Sequence, residues 1–227
     1  MGFRKGFSQA PLNFSIDFVI CLDATGNMRD TLEKFKKNLP RLYPSVAESM
    51  KSTGRCIEEL RVKLIAFRDY KYDEDPMRIS PFYVLGGDND ESEQLYAFAE
   101  SIEATGGADA AKNALEAIAL AFKSDWTKTG AGRRHIIMVY TDAPALELGA
   151  RAGCPGYPTD LPKNLAELHE LWEGQDMEPR AKRLLMFAPD TDPWIELITW
   201  AQAFLLDCTP EFTEYDFKFL LPSIMFN

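Results

Sequence analysis

Two polar clusters stand where apolar runs stop. Asp23-Ala24-Thr25-Gly26-Asn27 follows the run 18–22, and Thr141-Asp142-Ala143-Pro144 follows the run 135–140. Asp23, Thr25, Asn27 and Asp142 bring together two carboxylates, a hydroxyl and an amide, which are oxygen donors only. Magnesium takes near-octahedral oxygen coordination at about 2.0–2.1 Å and keeps several waters, so neutral oxygens with a few carboxylates suit it. Each cluster also has a plainer use. Asp-x-Thr-x-Asn ahead of a helix can satisfy the first free helical N–H groups, and Asp142-Ala143-Pro144 is a turn signal. What favours a site is that both clusters end a buried strand.

The elements that must position them alternate. Residues 16–22, continuously apolar after Asp17, and 135–140 have the pattern of parallel strands covered on both faces. The spacing of Met28, Leu32, Phe35, Leu39, Leu42 and Val46 predicts an amphipathic helix kinked at Pro40. Residues 62–67 read as a second strand ending in Arg68-Asp69, and 79–85 as a short, proline-interrupted edge strand. Helices are expected over 92–102 and 110–122, bracketing Thr105-Gly106-Gly107-Ala108-Asp109. A long connection rich in Pro and Gly, 145–180, contains a helix over 165–172 and leads to a strand at 183–187. Residues 193–206 read as a helix with Trp194, Trp200 and Phe204 in the core. The order predicts an α/β fold: a doubly wound, mostly parallel central sheet with helices on both faces, one antiparallel edge strand, and right-handed crossovers. It is read as a single domain over 1–227, with 1–14 an N-terminal extension and 207–227 a C-terminal covering segment. Ligands of such sheets gather at the carboxyl ends of the strands.

The stretch FVICLDATGNM, residues 18–28, resembles the first loop of von Willebrand factor type A domains. That loop opens a metal-ion-dependent adhesion site with Asp-x-Ser-x-Ser after a buried strand. Asp23 and Thr25 match its first two positions, while Asn27 replaces the second hydroxyl; its longer side chain must shift either the ion or the start of the helix. The glycine loop 105–109 followed by Asn113-Ala114-Leu115 is similar to the second loop, where Asp109 or Thr105 would serve. Tyr140-Thr141-Asp142 is similar to the third. Together these cover roughly residues 17–204. The resemblance is to bacterial, cytosolic-type members. It implies a metal set of Asp23, Thr25, Asn27, Asp142 and one or both of Asp109 and Thr105. It further implies Mg2+, or Mn2+ or Ca2+, and a protein partner whose Asp or Glu completes the ion's shell.

Composition narrows the alternatives. A length of 227 residues suits one large domain, and 46% hydrophobic residues suffice for a packed core. A formal net charge of −10 opposes the counterion release that drives nucleic-acid binding, so no nucleic-acid partner is expected. No apolar run approaches the ~18 residues of a membrane span, and a cytoplasmic protein with no membrane partner is expected. The thiols of Cys21, Cys56, Cys154 and Cys208 are read as reduced. Asp69 and Asp88 are read as solvated loop residues, His135 as a strand-start side chain and His169 as a helix-surface one. An enzyme is not expected. A phosphatase using Asp23 would carry a second Asp at position 25, where Thr stands, and no phosphate-binding loop of the G-x-x-x-x-G-K-[ST] form is present. The remaining alternative is a scaffold with a decayed site that binds partners through 145–180.

Overall fold

The structure, a computed structural model, describes residues 12–130 and 132–206. Seven strands form one sheet in the order β3-β2-β1-β5-β6-β7, with β4 also on β2. β1 (Leu12–Asp23), β2 (Arg55–Phe67), β5 (Arg133–Tyr140), β6 (Lys182–Phe187) and β7 (Ala203–Leu206) run parallel. β3 (Met77–Ile79) and β4 (Tyr83–Val84) both pair antiparallel with β2. Pro81 cannot donate to a ladder and divides them. Between the two segments Ser80 completes the edge: its N–H donates to Leu64 O at 2.9 Å, and Leu64 N donates to its Oγ at 2.9 Å.

Alternation along β1 sorts the core into two layers. Phe18, Ile20 and Leu22 face α1 (Arg29–Asn38), α2 (Leu42–Ser52) and α3 (Ser92–Glu100). Val19 and Cys21 face α4 (Ala114–Phe122), α5 (Leu165–Trp172) and the short α6 (Trp194–Leu197). The doubly wound α/β sheet expected from the sequence is therefore the one observed. No helix among the described residues is long and apolar enough to cross a membrane. Cys21, Cys56 and Cys154 are free thiols, and Cys208 lies outside the described residues.

Several boundaries differ from the expectation for physical reasons. β1 begins at Leu12, inside the expected extension, because residues 12–14 continue the ladder with β2 past a register shift at Phe14/Ser15. Pro40 sits in a 3-10 turn, Leu39–Arg41, that separates α1 from α2 instead of bending one helix. The expected helix 110–122 starts only at Ala114, since Lys112 is held in an isolated bridge with Ala145. The expected helix 193–206 is wrong. Only Trp194–Leu197 is helical; Gln202 then turns with φ 68°, and 203–206 becomes the edge strand β7. Phe204 consequently points outward, 46% exposed, and is not a core residue. The 207–227 covering segment and the 1–11 part of the extension lie outside the described residues.

Trp194 and Phe204, two of the three aromatic residues of that segment, should therefore behave oppositely. Trp194 is fully buried and donates its indole N–H to Ala143 O at 3.2 Å. Trp194→Ala is expected to destabilise by about 3–5 kcal/mol, whereas Phe204→Ser should stay within about 0.5 kcal/mol. Urea unfolding of both variants measures this, and equal losses would contradict the placement of β7.

Candidate metal centre at the carboxyl edge of the sheet

The chain leaves β1 for β2 on one side and later returns to β5 on the other, so strand order reverses between β1 and β5. That is where a crevice opens in such sheets. Leu22 pairs with Tyr140, which sets Asp23 and Thr141 side by side just past that pair. Asp23, 2% exposed, accepts at Oδ1 from Thr25 N at 2.9 Å and from Thr25 Oγ1 at 2.7 Å. Its Oδ2 accepts from Thr141 Oγ1 at 2.7 Å. Among the described residues no Lys or Arg forms an ion pair with it. Burial pushes its carboxyl above the usual carboxylate range, opposed by these hydrogen bonds and reinforced by the nearby charge of Asp142. Asp142 and Asn27 are exposed, at the rim. The plainer helix-capping use is not what the structure contains: neither Thr25 nor Met28 caps its helix through a side chain.

The glycine loop is pressed against the first loop by its backbone. Thr105 N donates to Ala24 O at 3.1 Å and Gly26 N to Gly106 O at 3.4 Å. Gly107, at φ +86°, sits so close that a Cβ would lie 2.8 Å from Thr25 Cβ, and one on Gly106 would strike the Asp73 carboxylate. Both positions need glycine. The two residues expected to serve from this loop are placed differently from Asp23. The Thr105 residue is exposed. Asp109 accepts at Oδ2 from Arg151 at 2.7 Å and at Oδ1 from its own following N–H, Ala110, at 2.9 Å. Its carboxyl is held low by Arg151.

The side chain that this loop does turn inward is a cation. Lys112, 3% exposed, donates its ammonium to the carbonyls of Gly107 and Asp109. Asp69 is a correction to the solvated-loop expectation: it is fully buried and takes a two-pronged bond from Arg151, at 2.9 and 2.8 Å. Asp88 is exposed, as expected. No three His, Cys, Asp or Glu side chains converge as a metal cluster among the described residues. The oxygens brought together are instead mixed: the Asp23 carboxylate with the hydroxyls of Thr25 and Thr141, and Asp142 near enough for its charge to act on Asp23; Asn27 is exposed and bonds none of them. Hydroxyl and amide oxygens with few carboxylates match the hard-donor chemistry of a divalent cation.

Thr141, Arg68, Lys112 and Arg151 were missed as site residues. Thr141 had a signal, since it directly precedes Asp142 at a strand end. Arg68 had the same signal at the end of β2. Lys112 had none beyond being a charged residue ahead of an apolar helix, and Arg151 lies 82 positions from the carboxylate it clamps.

No protein-family model matches the chain, and no curated protein matches it in sequence. Solved structures do. A von Willebrand factor type A protein from Catenulispora acidiphila aligns over 95% of this chain and 43% of its own, with 14% identity and a TM-score of 0.53. The pilus adhesin SpaC from Lactobacillus rhamnosus GG, in its open conformation, aligns over 96% of this chain and 30% of its own, with 11% identity and a TM-score of 0.56. The chain thus spans less than half the length of either. It has the von Willebrand factor type A fold, as the resemblance in the sequence implied.

The Arg151 clamp yields a double-mutant test. Arg151→Met strands the buried Asp69 carboxylate and should destabilise by about 3–5 kcal/mol. Asp69→Asn in the same chain should restore most of that loss. Denaturant unfolding of both single variants and the double gives the coupling, and additive losses would remove the clamp from the account.

Proposed function

We propose that this edge holds a divalent cation, Mg2+ or alternatively Mn2+ or Ca2+, and uses it to bind an Asp or Glu of a protein partner. One observation carries this function: the Asp23 carboxylate is buried between two hydroxyls with no ion-pairing cation among the described residues. A buried charge without a partner is costly, and a bound cation is the counter-charge such a site lacks. Thr25 and Asn27 would hold the ion with Asp23 and Asp142, while Thr141 keeps the Asp23 carboxylate oriented. The cation would supply a Lewis-acidic centre for an incoming carboxylate. Asp109, engaged by Arg151, and Thr105 contribute only if the glycine loop rearranges. The likeness in fold to an adhesin supports a protein partner.

We further propose that the chain is not an enzyme: the hydroxyls of Thr25 and Thr141 bond the Asp23 carboxylate, but among the described residues no His, Lys or Cys reaches it to complete a catalytic set. A second function, a scaffold with a degenerate metal site, is favoured by a specific observation. The buried Lys112 ammonium bonds the carbonyls of Gly107 and Asp109, and the Asp109 carboxylate is engaged by Arg151.

Metal-dependent melting separates the two. Ligand at a hundredfold excess over Kd stabilises by about 2.7 kcal/mol, roughly 5–10 °C in Tm for a domain of this size. The wild type should show such a shift with Mg2+ or Mn2+ at fixed ionic strength, Asp23→Asn none, and Asn27→Ser a larger one. Equal shifts in all three would mean non-specific binding to an acidic surface and would sink the metal function.

The metal-free proteins carry a further expectation. Because the folded state holds the Asp23 proton more tightly than the unfolded chain, its ionisation costs stability as pH rises from about 4 through the folded pKa. Asp23→Asn escapes that loss, and its amide still spans Thr25 and Thr141. Above that window it should melt higher than metal-free wild type. Below about pH 4 the difference should vanish. A variant that melts lower at every pH would show that the carboxylate is needed uncharged or charged for folding alone.

A further inference from the structure

A cavity of about 530 Å3 opens on the same edge, between the start of α4, residues 145–148, the entry to α5 and the turn before α6. Its floor is apolar: Leu115 and Leu148 are buried, and Leu165 and Pro193 are half-buried. Three carboxylates stand around it, those of Glu147, Asp192 and Glu196. None of the three makes an ion pair or side-chain hydrogen bond among the described residues. Lys163 is the single base at the rim, so the cavity carries an excess of negative charge. Ala143 joins it to the metal edge. The N–H of that residue donates to Thr141 Oγ1 at 3.1 Å, and its C=O accepts from Trp194, the neighbour of Pro193.

An apolar floor under an acidic rim fits a ligand with an aliphatic stem and a cationic head. The volume is within the range of pockets that enclose a small ligand group, roughly 300–1,000 Å3. Carboxylates on two separate segments, Glu147 on one and Asp192 with Glu196 on the other, favour a planar head with several donors in a fixed fork over a compact ammonium. We infer that this cavity is the docking pocket for an arginine side chain of the protein partner. Resting on the function proposed above, this makes the partner's recognition element two-headed: an acidic residue for the cation edge and an arginine for the cavity.

The pocket can be tested without the partner or the metal. N-acetyl-arginine amide and its uncharged analogue N-acetyl-citrulline amide are titrated into the isotope-labelled full chain in EDTA, and amide chemical shifts are followed. The arginine probe should perturb a patch centred on Leu115, Leu148 and Leu165, and the citrulline probe should bind at least tenfold more weakly. Glu147→Gln/Glu196→Gln, two exposed changes that leave the core intact, should weaken the arginine probe at least tenfold. Asp23→Asn should leave it unchanged, so that failure of the metal function is read separately in the melts. Equal binding of the two probes would overturn the assignment. So would perturbations scattered over the acidic surface that persist in the double variant, or binding abolished by Asp23→Asn.

Discussion

The Arg68 guanidinium lies buried under the carboxyl edge with a main-chain carbonyl from each of three loops around it. Nε donates to Ala24 O at 3.0 Å, one terminal nitrogen to Asp75 O at 2.5 Å and the other to Glu103 O. Its own backbone extends the tie: the N–H donates to Pro76 O at 2.8 Å, and the C=O accepts from Asn113 N at 3.0 Å at the entry to α4. Carbonyls folded under a loop cluster must find donors, and here a planar group with five of them serves three segments at once. A lysine, with three donors on one atom, would not span the same positions. The approach of the glycine loop to Thr25, and hence the enclosure of Asp23, depends on this knot.

Around it the charges are sorted. Among the described residues the carboxylates of Asp23 and Asp142 have no ion-pairing base, whereas Asp69 and Asp109 share one. Arg151 brings that base from the long connection after β5, so 145–180 is part of the edge and not a detached insertion. The same connection is fastened further along by Tyr157, whose hydroxyl bonds the buried Glu116 of α4 at 3.0 Å. Burial raises the Glu116 carboxyl, opposed in part by the hydrogen bond it accepts from the Tyr157 hydroxyl.

Much of this was legible in the sequence because it depends on local pattern. Apolar runs of strand length, each cut off by an aspartate, located β1 and β5 and their carboxyl ends, and Pro81 marked the edge of the sheet. What could not be read depends on contacts between distant segments. Asp69 looked like a solvated loop residue because nothing near it in sequence announces Arg151. The glycine loop looked like a ligand-bearing loop because spacing does not say which way Asp109 turns. Residues 193–206 looked helical because Trp194, Leu197, Ile198, Ala201 and Leu205 keep helical spacing across what is a one-turn helix and a strand. Pairing with β6 overrides that periodicity at 203–206.

Charge balance at the crevice decides between the two proposed functions. Two carboxylates and one ammonium, Lys112, belong to loops in contact. One ammonium in contact with the glycine loop opposes the two carboxylates, so their states set the sign. Asp142 is exposed, where salt screens it; Asp23 is desolvated and acts at nearly full strength once ionised. Burial opposes that ionisation, and a cation favours it, so proton release and cation binding are linked. A partner carboxylate arriving at the same point adds the negative charge that the ammonium had offset. In the proposed function cation and partner therefore raise each other's affinity by the same factor, as linkage requires, and Lys112 sets how weakly the cation is held until the partner arrives.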